Sequence, residues 1–271
     1  MPAGSPDLRR RPRRGRRGRQ QVPGRRDGRD AGAFRAGKST ISAFAAIAGA
    51  SVDAVDVGVG RPTGDIRLEA ALSAERFEEC VAAARTAVDG LDADLLVLGE
   101  MGIGNTTAAA AVAGALLGGG AVEWVGRGTG VDDEGLTRKQ DAVIAAVQRI
   151  AHITDPLEVL REVGGAELVA IAAAVVAARQ RNLPVLLDGY VVTAAALPLA
   201  LASPGSLDHC QVGHCSAEPG HRRLVARLGK QPLLDLGMRL GEGSGAMAAV
   251  PLVAMACVGI TGVPTFGEWF G

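Results

Sequence analysis

LLVLGEMGIGNTTAAAAVAGALL, residues 95–117, is the stretch on which the fold turns. Residues 95–98 form a short unbroken apolar run, the pattern of a parallel strand covered on both faces. Gly99, Gly102 and Gly104 interrupt it, Asn105, Thr106 and Thr107 are helix-capping residue types, and an alanine-rich helix follows. Such a junction brings backbone N–H groups and the positive end of a helix dipole to one place, where phosphate binds well. Glycine lets the backbone approach an anion with no Cβ in the way. The same pattern also serves as an ordinary tight β–α connection, and it matches neither the dinucleotide fingerprint nor the P-loop.

Working outward, the flanking segments repeat the alternation. Towards the N-terminus, residues 41–48 read as a helix, 51–59 (SVDAVDVGV) alternate like a strand, 60–65 form a loop, and 73–88 form an amphipathic helix with Ser73 as N-cap. Towards the C-terminus, Trp124 and Val125 read as a short strand. A glycine-rich acidic loop (126–135) and a helix over 137–151 come next, then a short helix over 156–163. Residues 164–182 are a long apolar helix, 183–187 a strand ended by Asp188-Gly189, and 191–202 a buried helix containing Pro198. Two or three helices close the chain after the histidine-bearing segment 209–221. Strands alternating with helices predict an α/β fold, a parallel sheet with helices on both sides. In such sheets ligands sit beyond the carboxyl ends of the strands. That rule gathers the loops 99–105, 126–135 and 188–189 on one rim, with the turn 241–245 as a candidate fourth.

The 271 residues suffice for one large domain, and 48% apolar content for a substantial core, although aromatics are only 3%. Small side chains favour close helix–sheet packing and give little aromatic surface on which nucleic-acid bases could stack. The chain carries 29 basic and 29 acidic residues, but twelve Arg and three Asp fall within residues 1–35. The remaining 17 basic and 26 acidic residues give the globular part a net charge of −9, which argues against nucleic acid as its partner. Four scattered cysteines, at 80, 210, 215 and 257, point to a reducing, cytoplasmic setting. The apolar stretches are alanine-rich and interrupted, so no membrane span is expected. Residues 1–35, rich in Arg, Gly and Pro, have no apolar periodicity and read as a disordered segment ahead of a domain over 36–271. At its end, Gly32 to Ser39 satisfies the P-loop pattern, but the preceding GRRDGRDA cannot be the buried strand such a loop requires.

Four groups of residues could carry chemistry. Glu242, between Gly241 and Gly243 ahead of an apolar helix, suits a general base. It equally suits a capping carboxylate following a helix over LLDLGMRL. Glu100 lies in the phosphate-type turn, where a carboxylate suits a sugar hydroxyl, an azole N–H or a buried backbone donor. Lys139, after the glycine-rich loop, could neutralise a phosphate or carboxylate. His209, Cys210, His214, Cys215 and His221 are zinc-ligand types in irregular spacing, with no second C-x-x-C pair; substrate contacts or internal hydrogen bonds also fit the histidines.

Five segments in order, GEMGIGNTTAAAAVAGALLG (99–118), GRGTGVDDEGLTRKQDAV (126–143), LPVLLDGY (183–190), GHCSAEPGHRRL (213–224) and LLDLGMRLGEGSGAMAAVPLV (233–253), resemble the nicotinate-nucleotide–dimethylbenzimidazole phosphoribosyltransferases of cobalamin lower-ligand synthesis, from Ala36 to the C-terminus. The resemblance implies a Rossmann-like parallel sheet with a smaller helical part, a homodimer, and no metal or cofactor. It implies transfer of the phosphoribosyl group from nicotinate mononucleotide to 5,6-dimethylbenzimidazole. Glu242 matches the family's general base. Gly102, Gly104, Asn105, Thr106 and Thr107 match the turn holding phosphate or ribose, and Glu100, Lys139, Asp188, His214 and Ser216 match positions lining the nucleotide site. One departure stands out: the family's extra N-terminal helices and its Asp-His-Gly motif near the azole pocket are absent, and the Arg-rich segment stands in their place. A shifted reading frame or a wrong start accounts for that segment most simply. The small helical part is therefore expected to be truncated at its N-terminus. The same departure keeps open a nucleotide-binding relative with impaired catalysis, and behind it a P-loop NTPase.

Overall fold

The structure is a computed structural model and describes residues 36–128 and 130–271. The readings of residues 1–35 as a disordered or misframed segment, and the first half of the P-loop match, lie outside the described residues. Ser39, the last residue of that match, caps helix α1 (Thr40–Ala48), its side chain accepting the Ser42 N–H. The fold is α/β, with a small parallel sheet flanked by helices.

Three strands, β1 (Leu96–Leu98), β2 (Val185–Leu187) and β3 (Cys210–Val212), pair in parallel in that order, Leu96 with Val185 and Val185 with Cys210. β2 is buried throughout, as its run of Val and Leu requires, whereas β1 is an edge strand and only half-buried. Leu96 and Leu98 face the main core, while Val97 faces a small second cluster of Ile41, Ala45 and Met247. β3 was not legible: Gln211 at its centre and histidines around it mask a three-residue apolar signal.

Helices α2 (Ala74–Asp89), α3 (Asn105–Leu117), α4 (Ala121–Trp124), α5 (Asp133–Arg149), α6 (Pro156–Val163), α7 (Ala166–Gln180), α8 (Tyr190–Ala202), α9 (Pro219–Arg227), α10 (Ser244–Thr261) and α11 (Phe266–Phe270) complete the order. Ser73 caps α2 as expected, accepting the Arg76 N–H. α5 starts earlier than its periodicity suggests because Asp132 caps it, accepting the Gly135 N–H. α3, α7 and α8 are apolar all round and form the centre of the core, with Ala109 to Ala113 and Ala194 to Ala196 fully buried.

Two strand readings fail for local reasons. Residues 51–59 form neither helix nor strand. There Asp56 Oδ1 accepts the N–H groups of Gly58 and Val59, each at 2.8 Å, so a side chain takes the bonds a ladder would use. Trp124 ends a helical turn instead of a strand, held by Glu123 on the Gly120 N–H and by its own indole N–H on the Gly118 carbonyl. A third difference concerns residues 229–243, which contain no helix. Leu233 and Leu234 donate to the carbonyls of Val212 and Gly213, extending the course of β3. α10 is also long and apolar enough, by length and composition, to span a membrane, with mean hydropathy 1.8, although no span is evident from the sequence. Its first residues are buried in the fold, and its C-terminal half and α11 are exposed.

Candidate active site

The loops leaving the carboxyl ends of the three strands meet the turn before α10. After β1 the chain makes the 99–104 turn. A Cβ at Gly99 would overlap the backbone of Glu242 and Gly243, so glycine there permits two main chains to touch. The Glu242 N–H donates to the Glu100 carbonyl at 2.9 Å. The two glutamates therefore sit on adjoining turns.

Glu100 is tied within its own turn. Its Oε2 accepts the Gly102 N–H at 3.1 Å and a bond from the Asn105 side chain. Burial pushes its carboxyl up to about 7; the bonds from Asn105 and Gly102 oppose that, and the charges of Glu167 and Asp188 add to it. Asn105 is the first residue of α3, not its cap. The N-cap is Gly104, at φ 81°, and no side chain caps that helix end.

Glu242 differs. Gly241, Glu242 and Gly243 have φ values of 85°, 67° and 86°, three successive residues in the left-handed region. For a glutamate that conformation costs about 1 kcal/mol or more. Its Oε2 accepts the Ile41 N–H of α1 at 3.4 Å, a long bond. The alternative of a carboxylate following a helix over LLDLGMRL loses its premise, since that segment contains no helix.

After β2, Asp188 is 2% exposed and His214, after β3, is 3% exposed. Asp188 Oδ1 accepts the Ala246 N–H at 2.8 Å and lies 3.2 Å from His214 Nε2. Next to them, the Ser216 N–H donates to His221 Nδ1 at 2.8 Å, and His221 Nε2 lies 3.0 Å from Thr193 Oγ1. A backbone N–H can only donate, so Nδ1 bears no proton and Nε2–H donates to Thr193. Burial, with the neighbouring His214 and Arg222, pushes His221 down to about 3, so it stays neutral.

Lys139 reaches the rim from α5, donating to Thr106 Oγ1 and to the Gly126 carbonyl, each at 2.8 Å. Burial lowers its ammonium from the usual range, and the charge of Glu218 works against that. Glu218 was not singled out from the sequence. It is buried beside Gly126, and its Oε2 has no hydrogen-bond partner among the described residues. Its only signal is Pro219, which marks it as the residue before a helix. The structure thus gathers Glu100, Gly102, Asn105 and Glu242 in one corner, Asp188, His214 and Ser216 in a second, and Lys139 with Thr106 in a third. Thr107 lies in the first turn of α3. His209 instead directly precedes β3 and Cys210 begins it, while His214 and Cys215 follow its end, so the strand separates them; the described residues hold no group of three or more candidate metal ligands.

Known proteins resemble this chain in sequence and in fold. The profile of the phosphoribosyltransferase family DBI_PRT matches residues 17–269, reaching into the Arg-rich segment ahead of Ala36. The nicotinate-nucleotide–dimethylbenzimidazole phosphoribosyltransferase of Methylocella silvestris is 50% identical over 236 residues, 87% of this chain and 69% of that protein. That of Mesorhizobium japonicum is 53% identical over 224 residues, 82% of this chain and 66% of that protein. Among solved structures, CobT from Thermus thermophilus superposes with a TM-score of 0.86 at 42% identity, covering 91% of this chain and 79% of that one. Profile, sequence and structure agree, and the chain belongs to the nicotinate-nucleotide–dimethylbenzimidazole phosphoribosyltransferase family.

Proposed function

We propose that this chain transfers the 5-phosphoribosyl group of nicotinate mononucleotide to 5,6-dimethylbenzimidazole, giving α-ribazole 5′-phosphate, nicotinate and a proton. The relatives' names state the reaction class. The observation that carries it to this chain is Glu242, held in a left-handed turn whose backbone packs on Gly99 and Glu100, in the turn that leads into α3. One azole nitrogen attacks the anomeric carbon with its lone pair. Glu242 removes the proton from the other nitrogen, and nicotinate departs with the electrons of the glycosidic bond. Inversion turns the β-nucleotide into the α-product.

The remaining roles follow from position. The N–H groups of the turn from Gly102 to Thr107 and the Lys139 ammonium suit the phosphate. Ser216 and Glu100 line the nucleotide side. Asp188 and His214 border the same side, but their polar atoms are turned into the fold. We read the sheet as the described part of a Rossmann-like layer. A homodimer fits the exposed apolar surface of α10 and α11, where Met255, Ile260, Phe266 and Trp269 all face outward. Four free thiols, three of them buried, suit the cytoplasm. The test is turnover of the two substrates followed by product chromatography. Formation of α-ribazole 5′-phosphate supports the reading. Nucleotide binding without product would favour the catalytically impaired relative.

A further inference from the structure

The turn that bears Glu242 is costly to hold, and its own residues do little to hold it. The N-cap of α10 is Gly243, with no side chain to offer the first N–H groups of the helix. The missing cap comes from elsewhere. Asp188, at the end of β2, accepts the Ala246 N–H, which is the third in α10. A carboxylate there also meets the positive end of the helix dipole.

Asp188 is oriented in turn by His214. As an acceptor, Asp188 Oδ1 requires a proton on His214 Nε2, 3.2 Å away. The opposite nitrogen, Nδ1, is buried with no hydrogen-bond partner among the described residues. The ring therefore engages the fold through Nε2 and through its surface. Gly245 lies against that surface, and a Cβ there would overlap the ring. A Cβ at Gly213 would likewise meet the backbone of Ala246. With Gly99 against residues 242–243, the loops after all three strands close on the 241–246 turn.

We propose that Asp188 and His214 are positioning residues, forming a clamp that caps α10 from β2 and β3 and so fixes the strained turn carrying Glu242, and that neither touches substrate. The role assigned to Glu242 rests on the proposed function; the clamp itself does not. Both residues are almost wholly buried, and Asp188 Oδ1 is already shared between two donors. The carboxyl ends of β2 and β3 thus set the place of a residue that follows them by more than 25 positions in the chain.

Hydrogen exchange followed by mass spectrometry decides it, on wild type, Asp188→Ala, His214→Asn and His214→Gln. The Gln amide nitrogen can stand where ring Nε2 stands, whereas that of Asn stands where Nδ1 does. Loss of one charge-assisted bond should speed exchange in peptides covering 241–250 by about tenfold or more in the Ala and Asn variants, with α3 and α8 still protected. His214→Gln should restore most of that protection. In turnover, kcat should fall by about a hundredfold in the same two variants, as a slight misplacement of a reacting group does. The dissociation constant for nicotinate mononucleotide should change by less than about threefold. Unchanged exchange at 241–250 in both variants would overturn the clamp. So would nucleotide affinity falling tenfold with kcat intact, which would make these residues substrate contacts. If wild type forms no product, the proposed reaction fails, and the exchange data still decide the clamp. Should Asp188→Ala not fold, the two His214 variants carry the test.

Discussion

Two helices, α3 and α10, begin in nearly the same way, and their difference separates two carboxylates. Each is entered through a glutamate and then a glycine N-cap in the left-handed region, Gly104 at φ 81° and Gly243 at φ 86°. Neither cap offers a side chain. Glu100 is bound by its own turn and pushed up to about 7, so it is partly protonated near neutrality. Glu242 is held by its backbone, in a strained conformation, and among the described residues its carboxylate has only the long bond from Ile41. One glutamate builds the turn, and the other is presented by it. A local motif of glutamate and glycine therefore does not by itself name a base.

The comparison breaks most readily through the pair of amide variants. Glu242→Gln should lower kcat by about a thousandfold, within the usual range for losing a general base. Glu100→Gln should cost far less, because an amide can still accept from Gly102. Equal losses in steady-state kinetics would erase the distinction.

Next in size is a pH effect on stability. Glu100 has its folded pKa raised from 4.5 to about 7, so the native state holds a proton that the unfolded state releases. Its contribution is therefore fully present below about pH 4.5 and is lost as pH rises through about 7, by up to about 3 kcal/mol. Urea unfolding across that window should show the fall in wild type and a flatter profile in Glu100→Gln.

Lys139→Met should raise KM for nicotinate mononucleotide by about tenfold to thirtyfold, the worth of one charge-assisted phosphate contact, with a smaller change in kcat. A rise for the azole instead would move Lys139 to the other substrate. The smallest effect has the opposite sign. Glu242→Gly should abolish turnover yet stabilise the fold by about 1 kcal/mol, since glycine accepts the left-handed conformation without strain. A loss of stability on denaturant titration would mean that the Glu242 side chain supports the turn.

Much of this was legible because local chemistry dictated it. The apolar run at 96–98, the glycines behind it and the alanine helix give the strand–turn–helix almost residue for residue. Asp155 with Pro156 fixes the start of α6, and the helix ends at Val163 as read. What escaped depended on distant partners. β3 needs β2 beside it to be a strand, and the chain at Leu233 and Leu234 runs beside β3 instead of coiling into a helix because Val212 and Gly213 accept its N–H groups. At the site, Glu242, Glu100 and Lys139 stand out by glycine neighbours and motif. The hydrogen bond from Ala246 to Asp188 joins residues 58 positions apart, and no spacing within either segment announces it. Glu218 was hidden for the same reason, because its importance lies in what it is buried beside.

The central claim is that Glu242 removes the azole proton, and a nucleophile with no such proton tests it directly. kcat/KM should be measured for 5,6-dimethylbenzimidazole and for its N1-methyl derivative, in wild type and in Glu242→Gln. The account predicts a loss of about a thousandfold with the parent azole and little further loss with the methylated one, whose free nitrogen attacks without deprotonation. Equal losses with both would contradict it, and would make Glu242 a residue that shapes the pocket and not the base.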